Sequence, residues 1–210
     1  MIASRRDFVL GAAASLLLAS RARADELPPL DEVLAKIARA RASLKTLVGP
    51  FTQVRKIGML ASEVKSAGAM AMVRPDRLRW ELSPPDEIIY WVTPEGLAYK
   101  SKNGSGRVPG NATKIAAVLG DLRVVLGGDL ASLKSRYELK LTSVTDGASF
   151  EATPRKPIPG VQRIAFGLGA DLVRPTRATL VESARDKTDI VFGELQRDTT
   201  VDPAKMRPPT

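Results

Sequence analysis

The sequence predicts an α+β fold in which a few helices accompany a long, strongly curved antiparallel sheet. Apolar residues recur at helical spacing over residues 30–47 and 113–134, and they alternate with a period of two over most of the remainder. The alternating segments follow one another directly instead of being separated one by one by helices, which is typical of antiparallel sheets. We therefore expect about ten strands in one domain, with helices at the start and in the middle.

The first 24 residues resemble an export signal. Arg5 and Arg6 precede an apolar run from Phe8 to Ala19. This run is shorter than the roughly 20 residues that a membrane-spanning helix needs, so it is typical of a cleaved signal and not of a membrane anchor. The paired arginines favour a signal of the twin-arginine type.

Cleavage is expected after Ala24, because Ala22 and Ala24 place small residues where a signal peptidase reads them. The sequence therefore predicts a cleaved signal at residues 1–24 and a single domain at residues 25–210, located in the periplasm of a Gram-negative bacterium. The alternative is an ordinary buried first helix, which rarely opens with two arginines.

The residue types that are absent exclude the commonest catalytic and metal sites. The chain has no histidine and no cysteine. It therefore lacks the imidazole and thiolate groups that serve as bases, nucleophiles and metal ligands, and it forms no disulfide. We expect a binding protein with no metal and no cofactor, not an enzyme.

The excess of positive charge limits the choice of partners. The net charge is +9, and removal of the four arginines and one aspartate of residues 1–24 leaves 28 basic and 22 acidic residues. No zinc-finger or helix-turn-helix pattern is present, so nucleic acid is not expected as a partner. Anionic lipid headgroups or an acidic protein fit the charge better, and a merely solvating surface is the alternative.

The first predicted helix covers residues 30–47. Its apolar residues fall at positions 30, 34, 37, 40, 44 and 47, and Asp31 and Glu32 lie in its first turn, where acidic groups are favourable. This amphipathic pattern requires an apolar surface beneath the helix. Five strands bounded by proline and glycine turns are expected next, at residues 51–57, 68–73, 78–82, 87–93 and 97–100.

The second half repeats the order of helix and strands. Residues 102–111 are rich in Gly, Asn and Ser and predict an exposed loop. Residues 113–134 predict two or three short helices, broken at Gly120 and at residues 127–128, with a wide apolar face that suits a mobile cover. Five more strands are expected at residues 137–144, 150–153, 161–168, 176–183 and 188–195.

The most informative segment is residues 68–82. Leu78, Trp80 and Leu82 share one face of a strand, while the residues between them are charged. The strand therefore has one apolar side, which predicts burial or a place on a cavity wall. Ile164 and Phe166 alternate in the same way in the second half of the chain.

Several short motifs, taken together in order and spacing, resemble the outer-membrane lipoprotein carrier (LolA) family. The sequence Phe51-Thr52-Gln53 is similar to a family motif, and Arg74-Pro75, followed by Trp80 and Pro85, is similar to its central signature. Asp146-Gly147, Phe150 and Pro154 resemble the family's later strands, and Val201-Asp202 and Pro208-Pro209 its terminal segment.

The resemblance implies an unclosed, strongly curved antiparallel β-barrel of about ten to eleven strands. In that family the N-terminal and central helices form a lid over a hydrophobic cavity that binds acyl chains. It also implies that Arg74 hydrogen-bonds to the lid when the cavity is empty, whereas the sequence alone allows a solvated arginine before a turn. Lipid binding or control of the lid is expected of Arg74, Leu78, Trp80, Leu82, Phe51, Ile164 and Phe166.

The partners implied by the resemblance are an acylated lipoprotein or lipid cargo, an inner-membrane lipoprotein-releasing transporter and an outer-membrane acceptor. The protein is expected to act as a monomer that comes transiently close to membranes. Four departures from the family pattern leave open a paralogue that carries another lipid or acyl product: a longer segment after Pro85, Pro94-Glu95-Gly96 in place of Asp-Gly, an aromatic cluster reduced to Tyr99, and Met206 in place of Phe. A lipid-sensing regulatory protein is a further alternative.

The enzyme alternatives rest on isolated residues. Ser62 and Lys65 have the spacing of a Ser-x-x-Lys motif, but the other elements of that enzyme class are missing. Asp86 and Glu87 are adjacent in an extended segment, so their side chains point to opposite faces and do not flank one bond. A binding role is therefore preferred.

Overall fold

A computed structural model describes residues 27–60, 62–109 and 113–209. The predicted export signal at residues 1–24 lies outside the described residues. No helix in the described ranges is long and apolar enough to cross a bilayer.

Three helical elements accompany the sheet in the described part of the chain. Helix α1 spans Leu30–Ala40, helix α2 spans Lys114–Gly127, and a 3₁₀ helix spans Leu130–Ser135. Buried side chains on all three, among them Val33, Leu126 and Leu133, join the core on the inner face of the sheet. The three elements together are called the lid below.

The prediction that the first helix continues to residue 47 is wrong. The helix ends at Ala40, and strand β1 begins at Thr46. Leu47 pairs with Met72 in the sheet, so its burial comes from the strand and not from a helical turn. The prediction of a break at Gly120 is also wrong, because α2 continues through that residue.

Twelve antiparallel strands form one sheet in the described part of the chain, in the order β6-β5-β4-β3-β2-β1-β11-β10-β9-β8-β7, with β12 beside β1. The sheet does not close, since β6 and β7 lie at its two edges. The strands are β1 Thr46–Lys56, β2 Val64–Val73, β3 Arg77–Leu82, β4 Ile88–Thr93, β5 Gly96–Ser101, β6 Gly104–Pro109, β7 Tyr137–Ser143, β8 Ala148–Pro154, β9 Arg163–Leu168, β10 Pro175–Val181, β11 Lys187–Phe192 and β12 Gln196–Arg197.

The predicted fold class is confirmed, but two strands were missed. The short β12 carries no alternation that a sequence pattern reveals. Strand β6 lies in the segment predicted as a loop, and it pairs with β5 along its whole length. A Cβ at Gly106 would lie 3.0 Å from the Tyr99 ring, so the glycine that suggested a loop leaves room for a cross-strand tyrosine.

The inner face of the sheet carries the aromatic core. Phe51 stacks on Trp80 with 3.7 Å between ring centroids, and Phe192 meets the same indole edge-on at 6.2 Å. Phe150 and Phe166 stack at 5.1 Å on the other wing of the sheet. Since side chains of a strand alternate between faces, these rings all project to the side that the lid covers.

The outer face is covered in part by the C-terminal segment. Trp91 alternates with the inner-face residues of β4 and donates from Nε1 to the carbonyl of Lys205 at 2.8 Å. Met206 is buried nearby, and the Arg79 guanidinium lies over the Trp91 ring at 5.9 Å. The two tryptophans of the chain therefore lie on opposite faces of the sheet.

Candidate functional site

An apolar cavity of about 440 Å³ lies between α2 and the inner face of the sheet. From the sheet it is lined by Trp80, Leu82 and Ile190, and from the helix by Leu119 and Leu122. A volume of this size is within the range of small-molecule sites, roughly 300–1,000 Å³. With these walls, the cavity suits an aliphatic guest.

The register of the sheet places Trp80 at the cavity wall. Gly68 faces Phe51 on one side and Leu82 on the other, and Met70 pairs with Trp80. A Cβ at Gly68 would overlap the backbone oxygen of Glu81 and lie 2.6 Å from the Phe51 ring. The absent side chain at this position therefore allows the Phe51–Trp80 stack to form against the sheet.

One end of the cavity is polar, and we call it the mouth. It is formed by Gln53 and Arg55 near the end of β1, Glu182 just after β10, Thr188 at the start of β11, and Thr113 at the N-cap of α2. Hydrogen-bonding and charged groups therefore ring one opening of an otherwise apolar space.

Tyr90 lies on the cavity wall close to the mouth. Burial raises the pKa of the Tyr90 hydroxyl, the nearby charge of Asp86 raises it further, and Arg55 opposes both. Tyr90 therefore stays neutral near pH 7, where it offers a hydrogen-bond donor and acceptor to a guest.

The C-terminal end of α2 is held by Arg41, the residue that follows α1. The Arg41 guanidinium donates to the carbonyls of Val125 at 2.8 Å, Val173 at 3.1 Å and Gly128 at 3.4 Å. Val125 and Gly128 belong to the C-terminal end of α2, and Val173 lies in the turn between β9 and β10. One buried side chain thus joins α1, α2 and the sheet.

Arg41 is 2% exposed, and no hydrogen bond reaches its Nε within the described part of the chain. Burial, and after it the charge of Arg74, lowers the pKa of Arg41 to about 10, while Asp171 partly opposes this. Arg41 is therefore still a cation at neutral pH, and it is held by carbonyl dipoles instead of a directly paired carboxylate.

Arg74 donates to the backbone carbonyl of Arg41, and its own backbone N–H donates to the carbonyl of Lys45 at 2.9 Å. It is half-buried in the turn between β2 and β3. Arg74 thus reaches the end of α1 through one carbonyl, whereas Arg41 reaches three carbonyls on two other elements. We call Arg41, Arg74 and these carbonyls the arginine cluster.

A second polar contact fixes α2 at its middle. Asp121 is 4% exposed and accepts hydrogen bonds from the Tyr137 hydroxyl and from Arg136 Nη1, the latter at 2.5 Å. Burial raises the pKa of the Asp121 carboxyl, although Tyr137 and Arg136 act in the lowering direction. The helix is therefore tied to the start of β7 as well as to the arginine cluster.

The structure brings together some of the predicted site residues. Trp80 and Leu82 line the cavity, whereas Phe51, Leu78 and Phe166 are buried in the core. The remaining two are partly buried: Ile164 packs against the core, and Arg74 lies in the arginine cluster.

Sequence reasoning missed Arg41 and did not assign the α2 leucines to the site. A signal for Arg41 was present, because it continues the apolar spacing of Leu30, Leu34 and Ile37 that leads to Leu44. A charged residue on the apolar stripe of an amphipathic helix is a candidate for a buried polar contact.

The residues considered for catalysis are not assembled into a site. Ser62 is exposed in the β1–β2 hairpin and precedes a strand, and Asp86 accepts a hydrogen bond from the Ser66 hydroxyl. Within the described ranges, no three acidic side chains are grouped closely enough to hold a metal ion.

Comparison with known proteins supports the predicted resemblance. The sequence model of one family, described as outer membrane lipoprotein carrier protein LolA, matches residues 42–94, which contain β1 to β4. Among curated proteins, none matches the chain. The resemblance read from residues 51–85 is thus confirmed over the segment that carries the central signature.

Solved structures share the fold at low sequence identity. A DUF1329 family protein from Desulfovibrio piger ATCC 29098 aligns over 86% of this chain and 98% of its own, with 11% identity and a TM-score of 0.50. An uncharacterized conserved protein from Thermus thermophilus aligns over 85% and 93%, with 13% identity and a TM-score of 0.51. The LolA superfamily protein NE2245 from Nitrosomonas europaea aligns over 86% and 98%, with 7% identity and a TM-score of 0.49. The first two support the open antiparallel sheet with its helices.

Proposed function

We propose that this LolA-like protein is a carrier that binds the acyl chains of lipoproteins, or of a related lipid, and shuttles them from the inner to the outer membrane. The observation that carries the proposal is the aliphatic cavity between α2 and the inner face of the sheet, with its polar mouth. An acyl chain matches the apolar walls, and its polar head matches the groups at the opening.

The free energy of moving an acyl chain explains why a carrier is needed. Each methylene exposed to water costs about 0.8 kcal/mol, so a sixteen-carbon chain costs on the order of 12 kcal/mol. Spontaneous transfer through an aqueous compartment is therefore negligible. A protein that replaces water with leucine, isoleucine and tryptophan side chains removes most of this barrier.

Loading and release require a lid that moves. Helix α2 contributes one wall of the cavity, and its C-terminal end is held by Arg41. We propose that the arginine cluster stabilises the empty, closed state, with Arg74 fixing the end of α1 and Arg41 fixing the end of α2. A guest that wedges α2 away from the sheet then competes with these hydrogen bonds, so that loaded and empty states are of similar free energy.

The proposed compartment is the periplasm. The twin-arginine pattern at residues 5–6 and the cleavage site after Ala24 support export through the inner membrane. The match to the LolA family model supports an inner-membrane transporter as donor and an outer-membrane acceptor as recipient. The protein itself is proposed to act as a monomer.

The size of the cavity favours a second candidate, a paralogue that carries a lipid with fewer chains. A space of about 440 Å³ is at the lower end of the range of ligand sites, so a cargo with several chains would require a larger displacement of α2. Both candidates use the same cavity, and they differ in the polar head that remains at the mouth.

The test is to purify the protein after export in its native host and to identify co-purifying molecules by mass spectrometry. Acylated peptides would support the lipoprotein carrier, and free lipids would support the paralogue. An empty preparation that also fails to bind fatty acids added in vitro would contradict both.

A further inference from the structure

The β1–β2 hairpin carries three exposed large apolar side chains, and one of them, Met59, is the most exposed large apolar side chain of the described residues. Met59 is 96% exposed and Leu60 is 51% exposed, while Val64 at the start of β2 is 39% exposed. A single exposed apolar residue needs no explanation, but three within six positions form an apolar projection. We call residues 57–60 the hairpin tip.

The hairpin tip is held in place by the turn between β10 and β11. The backbone N–H of Gly58 donates to Asp186 at 2.7 Å, and a Cβ on Gly58 would lie 2.5 Å from the Cβ of Arg185. The N–H of Leu60 also donates to the carbonyl of Ile57 at 2.8 Å. The exposed side chains are therefore presented by a hydrogen-bonded turn, which lowers the entropic cost of ordering it on binding.

Exposed basic side chains surround the tip; they are Arg55, Lys56, Lys65 and Arg185. Of the acidic groups nearest the tip, Glu63 is paired with Lys56 at 2.8 Å, and Asp186 accepts a hydrogen bond from the backbone N–H of Gly58. Glu182, which lines the adjoining depression, is a third acidic group, and all three carboxylates keep their negative charge. Four basic against three acidic side chains leave a small excess of positive charge around the tip, which favours an anionic partner.

The tip adjoins the mouth of the cavity. A second depression, of about 340 Å³, lies between the tip and the β10–β11 turn and is lined by Met59 and Arg185. Arg55 and Glu182 line both this depression and the cavity. An object that touches the tip therefore lies next to the opening through which a guest would pass.

We propose that the hairpin tip is a membrane-contact element that inserts Met59 and Leu60 into the interface of an anionic bilayer and presents the mouth to it. The occupant is a lipid surface because apolar side chains flanked by cations match an acyl region below anionic headgroups. This inference rests on the proposed function only in assigning a purpose to the contact. The contact itself is a property of the empty protein.

The absence of native cysteine allows a direct test. In a Met59→Cys variant, an environment-sensitive fluorophore attached to the thiol should shift to the blue and brighten on vesicles containing phosphatidylglycerol. The response should weaken with rising salt, since exposed charges are screened. The matched control is Val191→Cys, because Val191 is 57% exposed on the outer face of β11, away from the mouth.

A second variant separates insertion from labelling effects. Replacing Met59 and Leu60 together by Asp should weaken vesicle co-sedimentation of the unlabelled protein by about tenfold or more. Fatty-acid binding in solution should be unchanged, because neither residue lines the cavity. If the wild-type protein itself bound no fatty acid, the proposed function would fail, but the vesicle measurement would still test the membrane contact.

Three outcomes would overturn the membrane contact. In the first, the probe at Met59 responds no more to anionic vesicles than the probe at Val191 does. In the second, it responds equally to vesicles of phosphatidylcholine alone at every salt concentration. If the acidic double variant failed only in transfer to a membrane protein, while vesicle binding stayed intact, the tip would contact a protein instead.

Discussion

Arg74 donates a hydrogen bond to the backbone carbonyl of Arg41, while the Arg41 guanidinium donates to carbonyls of α2 and of the β9–β10 turn. Arg74 therefore positions the backbone of Arg41, and the side chain of Arg41 in turn holds α2 and the β9–β10 turn. Their repulsion is part of the reason that the pKa of Arg41 falls to about 10, after burial. The hydrogen-bonded contact between the end of α1 and the end of α2 runs through this pair.

Replacing Arg41 by Met should loosen α2. Methionine fills similar volume but donates nothing, so the carbonyls of Val125 and Val173 lose a buried donor, at about 1–3 kcal/mol each. Removal of a buried, desolvated charge offsets part of this loss. We expect a net decrease in unfolding free energy of about 1–3 kcal/mol. Amide hydrogen exchange at residues 122–128 should be faster than in the wild-type protein.

The control for this experiment is Arg39→Met. Arg39 lies in the last turn of α1, is exposed, and has the same charge and length as Arg41. Its replacement should change the amide hydrogen exchange of α2 little. Equal effects of both substitutions would show that the charge of the segment matters and the buried contacts do not.

Replacing Arg74 by Leu should have a smaller effect on stability and a clear effect on acyl exchange. Arg74 is half-buried and reaches one carbonyl, so we expect a loss of about 1 kcal/mol. If it stabilises the closed lid, a bound fluorescent fatty acid should leave more slowly, because the empty state has become less favourable. Arg77→Leu, at an exposed position of β3, is the control. Unchanged uptake and release in the Arg74 variant would rule out its role in the lid.

Two glycine-to-alanine substitutions should act in opposite directions. At Gly68 a methyl group would overlap the Glu81 oxygen and press on Phe51, so we expect about 1–3 kcal/mol of destabilisation. At Gly120, in the interior of α2, nothing lies within 4 Å of an added Cβ, so alanine should stabilise by about 0.5–1 kcal/mol. Urea unfolding of both variants measures these changes in the free energy of unfolding. A neutral Gly68 variant would contradict the described packing of the Phe51–Trp80 stack.

Asp121 should give the protein a specific pH dependence. Its pKa is raised on folding above the ordinary value of 3.8, so the folded state binds more protons than the unfolded state in the range between the two. The contribution of Asp121 to stability is therefore greatest at low pH and falls as pH rises through the raised pKa. The Asp121→Asn variant has no ionisable carboxyl group at this position and therefore lacks this pH dependence. The stability of the wild-type protein minus that of the variant should decrease as the pH rises from the ordinary pKa of 3.8 through the raised pKa of Asp121, as measured by urea unfolding. A difference that increased with pH would show that the carboxylate is stabilised in its charged form.

The fold could be predicted further than the site. The alternation of Leu78, Trp80 and Leu82 is local, so it revealed the inner face of β3 without knowledge of the neighbouring strands. The end of α1 was not predictable in this way, because Leu47 satisfies helical spacing and is buried only through its pairing with Met72 in the sheet. The local pattern at Leu47 favours a helix, but its pairing with Met72 in the sheet determines the observed conformation.

The same limit applies to Arg41. Its partners lie 84 and 132 residues further along the chain, and they are carbonyl groups, which every residue carries. No residue type at those positions signals the contact. The resemblance to the LolA family predicted a role for Arg74, which matches the family motif. It predicted none for Arg41, to whose carbonyl Arg74 is bound.

The central claim is that an acyl chain occupies the space between α2 and Trp80, and quenching of tryptophan emission by a brominated fatty acid tests it most directly. Trp80 lines the cavity on the inner face, and Trp91 lies on the outer face against the C-terminal segment. In a Trp91→Phe protein, the emission of Trp80 should be quenched saturably as the fatty acid is added. In a Trp80→Phe protein, the emission of Trp91 should be unaffected over the same range. Quenching of Trp91 equal to that of Trp80, or no quenching of Trp80 at concentrations where binding is detected independently, would contradict the account.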